Sequence, residues 1–95
     1  MPKKELEIRL PSSKEILAAY EKLFGKDKDN VHRFQPSGMR YADLSGELIL
    51  VEQNPDKDSH WAKLAREGRK VAWVMKDGEY LARVIDGTVE ILHHE

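Results

Sequence analysis

The sequence predicts an α+β fold: a mostly antiparallel sheet of about seven short strands with two helices, in the order β-α-β-β-β-α-β-β-β. Three patterns carry that expectation. Asp77-Gly78 and Asp86-Gly87 each sit between apolar runs, and Asp-Gly supplies the positive φ angles of a two-residue hairpin turn. Two serine-led stretches, from Ser12 and from Ser59, carry apolar residues at helical spacing and stop at glycine. Leu6, Ile8 and Leu10 alternate with Glu5, Glu7 and Arg9, which is the period of a half-buried strand.

From the N-terminus, Pro11 ends the first strand. Ser12 stands three residues before Glu15, the capping-box spacing in which each side chain satisfies the other's free backbone N–H. Ile16, Leu17, Tyr20, Leu23 and Phe24 form one apolar stripe, and Gly25 is the expected stop. Lys26 to Asn30 alternates in charge. It lacks the central glycine and closing glutamate of a calcium loop, so it reads as a solvated connector. Val31 to Gln35 is a short strand. Met39–Leu44 and Glu47–Gln53 make a hairpin around Ser45-Gly46, and the apolar run Leu48 to Val51 marks a central strand. Asn54-Pro55-Asp56-Lys57 is a type I turn, followed by a helix from Ser59 to Glu67, capped by Asp58 or Ser59 and ended by Gly68. Trp61, Leu64 and Ala65 are its inward positions.

With two-residue turns at both Asp-Gly pairs, Met75 opposes Tyr80, Trp73 opposes Ala82 and Val71 opposes Val84; beyond the second turn Val84 opposes Val89. Val71, Trp73, Met75, Tyr80, Ala82, Val84, Val89 and Ile91 then share an uncharged face, expected to be the core. Trp61 and Trp73 are both expected in it. Arg83 falls opposite Glu90, an opposite-charge pair that supports the register. Both halves run α-β-β-β, a pseudo-repeat in outline, and suggest a curved sheet with both helices on one side.

The 95 residues make one domain, 1–95, long enough for a single core. The absence of cysteine removes disulfides, thiolate metal sites and a cysteine nucleophile. No apolar run approaches the ~20 residues of a membrane helix, and the N-terminus lacks a signal-peptide stretch, so a cytoplasmic protein is expected. Charged residues make up 35% of the chain at a net charge of −1, and amides are few, a compositional drift shared with thermophilic proteins.

No constellation names a reaction, so no catalytic residue, metal or cofactor is assigned. Asp56, Asp58 and His60 form one local cluster, but metal sites need convergent ligands from separate elements, and turn and cap roles account for both aspartates. The serines occupy caps, turns and a first helical turn, none in a nucleophile elbow. A small enzyme or ligand pocket near His32 and His60 is a third reading.

A second reading is nucleic-acid binding through Lys63, Arg66, Arg69 and Lys70. Between Lys57 and Lys70 five basic residues face two acidic ones. The slightly acidic chain and the core placement of Trp73 and Tyr80 argue against it. The leading expectation is a non-enzymatic binding or assembly module. Ala72, Val74, Leu81, Ile85 and Leu92 make an apolar band on the meander's second face, rimmed by Arg83 and Glu90. If that face is open, a second copy is its natural cover, giving a homodimer that buries Leu81. The expected binding residues are therefore Val74, Leu81, Arg83, Glu90 and Leu92.

Overall fold

A computed structural model describes residues 10–25 and 31–92. Of the expected first strand only Leu10 is among them. The connector 26–30, His93 and His94 lie outside the described residues. The elements are α1 (Ser13–Phe24), β1 (His32–Arg33), β2 (Arg40–Asp43), β3 (Ile49–Glu52), α2 (His60–Arg66), β4 (Val71–Lys76), β5 (Glu79–Ile85) and β6 (Thr88–Ile91). The fold is α+β. Among the described residues six strands form one antiparallel sheet in chain order, β1-β2-β3-β4-β5-β6. Among the described residues no helix is long and apolar enough to cross a membrane.

Local chemistry starts both helices as expected. Ser12 Oγ accepts from Glu15 N at 3.2 Å, and Ser59 Oγ accepts from Ala62 N at 3.0 Å, so Ser59 rather than Asp58 caps α2. The capping box at α1 is only half made. Glu15 turns instead to the β2–β3 loop, where its Oε2 accepts from Ser45 N at 2.9 Å. Gly25 does not adopt the left-handed angles of a usual helix stop. Its φ is −94°, and glycine is needed because a Cβ would lie 2.4 Å from the Glu21 carbonyl oxygen.

Ile16, Ala19, Tyr20 and Leu23 line one side of α1 and pack on Ala42, Leu50, Ala72, Val74, Ala82 and Val84. Leu23, Leu50, Val74 and Val84 have no exposed surface. Each such aliphatic side chain contributes roughly 1.5–3 kcal/mol by leaving water, which makes this layer the stabilising centre of the fold.

Both Asp-Gly turns form as the sequence implies, with φ of 51° and 81° at Asp77 and Gly78, and 50° and 87° at Asp86 and Gly87. Beyond the second turn the pairs Val84↔Val89, Arg83↔Glu90 and Ala82↔Ile91 are those expected. The first hairpin departs. Met75 pairs with Tyr80, but Val74 then pairs with Ala82, Trp73 with Arg83 and Ala72 with Val84. Leu81 is an extra residue on β5, a β-bulge that shifts the rest of the strand by one. Side chains alternate along a strand, so one residue of shift exchanges the faces.

The expected core face is therefore corrected. Ala72 and Val74, not Trp73 and Met75, face α1, joined by Leu81, Ala82 and Val84. Leu81 is 7% exposed and Ala72 and Val74 are fully buried, so the centre of the proposed open apolar band lies under α1, and only Ile85 and Leu92 of it are half-buried. Leu92 is half-buried and donates its N–H to the Leu81 carbonyl at 3.0 Å. The helices are also not on one side. α1 covers one face, whereas Trp61 of α2 meets Trp73 and Arg83 on the other. Trp73 is buried from that side at 9% exposed, while Trp61 is half-buried and Ala62 is the fully enclosed residue of α2.

Tyr20 ties the layers together. Its hydroxyl donates to the Lys70 carbonyl at 2.7 Å and accepts from Gly87 N at 3.2 Å, linking α1 to the start of β4 and to the β5–β6 turn. Burial, with the nearby Asp86 charge, raises the phenol's pKa against the lowering effect of the backbone N–H bonds. A group that holds its proton more tightly when folded stabilises below its unfolded pKa, and that contribution is lost as pH rises past it. Tyr20→Phe should cost about 1–3 kcal/mol in urea unfolding at neutral pH. It should also flatten the fall in stability above about pH 10; an unchanged neutral-pH midpoint would remove Tyr20 from this role.

Leu81→Arg places a charge in the layer beneath α1, and such a group has no partner there. The variant should lose its cooperative thermal transition, and Leu81→Ala should fall by about 2–5 kcal/mol. Circular dichroism melts would check both, and a folded, soluble Leu81→Arg variant would return Leu81 to the surface.

Candidate functional site

The sheet face opposite α1 carries one residue from each of the six strands in a single cross-strand row: His32, Tyr41, Val51, Trp73, Arg83 and Glu90. Strand alternation puts them together, and aromatic contacts extend the row. Phe34 stacks on Tyr41 with ring centroids 4.3 Å apart, and His32 lies 5.2 Å from Tyr41 on the outer side. Trp73 touches Tyr80 at 4.8 Å and meets Trp61 edge-on at 6.1 Å. The tilted and edge-on pairs fall in the range where rings attract beyond their buried area, and the stacked Phe34–Tyr41 pair is closer still.

Arg83 is the fixed cation of this face. Its guanidinium sits 3.8 Å from the Trp61 ring centroid and 5.3 Å from that of Trp73, and it is paired with Glu90. Only 12% of its side chain is exposed. Two rings and a carboxylate thus hold the charge in place, and the role is structural: it fastens α2 to the sheet.

Between the aromatic groups lies a cleft of about 150 Å³. Phe34 and Met39 come from the β1–β2 connection, Val51 and Met75 from the strands beneath, and Trp73 and Tyr80 from β4 and β5. Tyr80 is 48% exposed. The indole is fixed, because Trp73 Nε1 donates to Gln53 Oε1 at 2.6 Å. Gln53, Asn54 and Lys57 form the polar edge of the cleft. The Asn54 turn that carries them forms as expected, with Asp56 N donating to Asn54 Oδ1 at 2.8 Å and Lys57 N to the Asn54 carbonyl at 3.3 Å. Larger hollows of about 320 and 510 Å³ border Lys70, but their polar walls are already occupied by the Arg40–Glu52 and Arg69–Asp86 ion pairs.

The basic candidates are dispersed. Arg66 donates to the Pro55 and Lys57 carbonyls, whereas Arg69 Nε donates to Asp86 Oδ2 at 2.6 Å at the other end of the segment. That bond holds the Asp86 carboxyl below its ordinary pKa, offset by desolvation and helped by the Lys70 N–H. Lys63 and Lys70 are exposed. Two of the four cations therefore serve the fold. Nor do the histidines share a pocket: His32 Nε2 meets Asp43 at 3.0 Å beside β1, His60 packs against Trp61, and neither lines the cleft. Among the described residues no group of three or more histidine, aspartate or glutamate side chains could hold a metal ion.

Of the residues expected to bind, Arg83 and Glu90 are on the aromatic face and Val74 and Leu81 are beneath α1. The residues that sequence reasoning missed are Phe34, Met39, Lys57 and Tyr80. The unbulged register places Trp73 and Tyr80 on the core face, which hides the aromatic face from a reading of the sequence. Comparisons of the chain with protein-family models, with characterised proteins and with solved structures find no match.

Proposed function

We propose that the protein is a non-enzymatic binding module whose recognition surface is the aromatic face of the sheet, with the Phe34–Trp73–Tyr80 cleft receiving one flat ring of its partner. The carrying observation is the cleft itself, aromatic-walled and open, on a sheet face that α2 only partly covers. Its size selects the ligand. Pockets for drug-sized metabolites run to several hundred Å³, whereas an apolar cavity of about 150 Å³ accommodates a single benzene-sized ring. The walls are held before any ligand arrives, Trp73 by Gln53 and Phe34 by Tyr41, so little side-chain freedom is lost on binding.

The same face changes the standing of the nucleic-acid reading, since stacking rings are present after all. The cations expected to serve it are not beside them: Arg69 is tied to Asp86 and Arg66 to backbone carbonyls. Self-association, if it occurs, needs a face other than the one carrying Val74 and Leu81.

A neutral ring probe tests the reading. Millimolar phenol or benzyl alcohol should shift the Trp73 indole N–H resonance in a saturable way. Tyr80→Ala removes an exposed wall and should weaken this by about 2- to 10-fold, as expected for one ring contact. An indole resonance that stays still throughout the titration rules the cleft out.

A further inference from the structure

The polar edge of the cleft is one-sided. Glu52 borders it, but its carboxylate already accepts from Arg40 N at 2.8 Å, Nε at 3.2 Å and Nη2 at 2.9 Å, so its charge is matched. Gln53 Oε1 is taken by Trp73, and the Asn54 carbonyl accepts from both Gln53 Nε2 at 3.0 Å and Lys57 N at 3.3 Å. Asn54 Oδ1 is taken by Asp56 N, which directs the amide nitrogen elsewhere. The acceptors are used within the protein. The groups left over are donors, Asn54 Nδ2 and the Lys57 ammonium, neither of which has a hydrogen-bond or ion-pair partner among the described residues. Asp56 and Asp58 flank Lys57 in sequence but do not line the cleft.

We propose that the cleft takes a flat single ring bearing an anionic group, a small aromatic carboxylate being the occupant; this rests on the ring-binding reading above and adds the charge. The ring lies against Trp73 and Tyr80, and the carboxylate reaches the Lys57 ammonium and the Asn54 amide. Among the described residues an anion there meets two donors without partners, and the one carboxylate lining the cleft, Glu52, is already paired with Arg40. A neutral or cationic ring would fill the same space and leave the donors to water. A charge-assisted bond is the stronger kind, so the anion gains most from this edge.

Titrating the 95-residue chain with phenylacetate, phenylacetamide and benzylamine, and following the Trp73 indole N–H, tests the charge separately from the ring. Phenylacetate should bind about 3- to 10-fold tighter than phenylacetamide at low salt, with benzylamine weakest. The gap should narrow in 0.5 M salt, to the extent expected of an exposed ion pair. It should close in Lys57→Gln, an exposed turn position whose backbone bonds the substitution keeps. Equal affinity for acid and amide, or a preference that survives Lys57→Gln, overturns the proposal while leaving ring binding intact. No shift with any of the three overturns both. Oligothymidylate binding tighter than phenylacetate, and weakening steeply with salt, would replace the small acid by single-stranded nucleic acid.

Discussion

The extra residue at Leu81 decides which side chains belong to which face. Met75 and Tyr80 are held together by the tight Asp77-Gly78 turn, and Arg83 is held to Glu90 by the second hairpin. Without the bulge, both constraints would leave Tyr80, Ala82 and Val84 on the side of Trp73 and drive Arg83 into the layer beneath α1. Burying an unpaired guanidinium there costs several kcal/mol. One inserted residue satisfies everything: Leu81, Ala82 and Val84 fill the α1 layer, and Arg83 emerges between Trp61 and Trp73. The local loss is one irregular step in the β4–β5 ladder, and the gain is a core with no charged group in it.

Turn chemistry made much of this sheet legible in advance. Asp-Gly pairs and serine caps act through a few adjacent atoms, so both hairpin turns, both helices and the Arg83–Glu90 pair could be read from the chain. The bulge could not. It has no glycine and no special residue type at Leu81-Ala82, because a bulge of this sort is tolerated by ordinary side chains and selected by what lies above and below it. Val71 to Met75 is apolar at every position, so β4 gave no sign of which face was the core. The candidate site inherited that ambiguity. Trp73 and Tyr80 were visible as aromatic residues, but their exposure depended on a shift of one position that only tertiary packing reveals. Phe34 and Lys57 had no pattern to mark them, since each works through a loop brought alongside the sheet.

The placement of the helices has a topological cause. Each half of the chain is a helix followed by three strands of one continuous meander. Three is odd, so β4 enters the sheet antiparallel to β1. Two units of the same hand can then succeed one another along the sheet only through a half-turn about an axis lying in it across the strands. That operation carries the helix of the second unit to the opposite face. The two-sided arrangement, with α1 above Ala72 and Val74 and α2 above Trp73, is what an odd strand count gives for two units of one hand.

The two sides are nevertheless unequal, and the inequality makes the cleft. α1 has twelve residues and α2 seven, which at about 1.5 Å per residue gives lengths near 18 and 10 Å. Six strands spaced by about 4.8 Å make a sheet some 24 Å wide. α2 therefore covers less than half of that width. Its one large contact, Trp61, is spent on Trp73 and Arg83. Among the described residues the face beyond α2 carries both aliphatic side chains, Val51 and Met75, and rings. The rings on it lie stacked or tilted against one another: His32 on Tyr41, Tyr41 on Phe34, Tyr80 on Trp73. Contacts of this kind cover part of each ring, and Tyr80 still keeps 48% of its surface exposed. The same arrangement leaves a gap between two ring groups. Its depth is set by Val51 and Met75, its edge by the Asn54 turn, and its shape by the flat walls on either side.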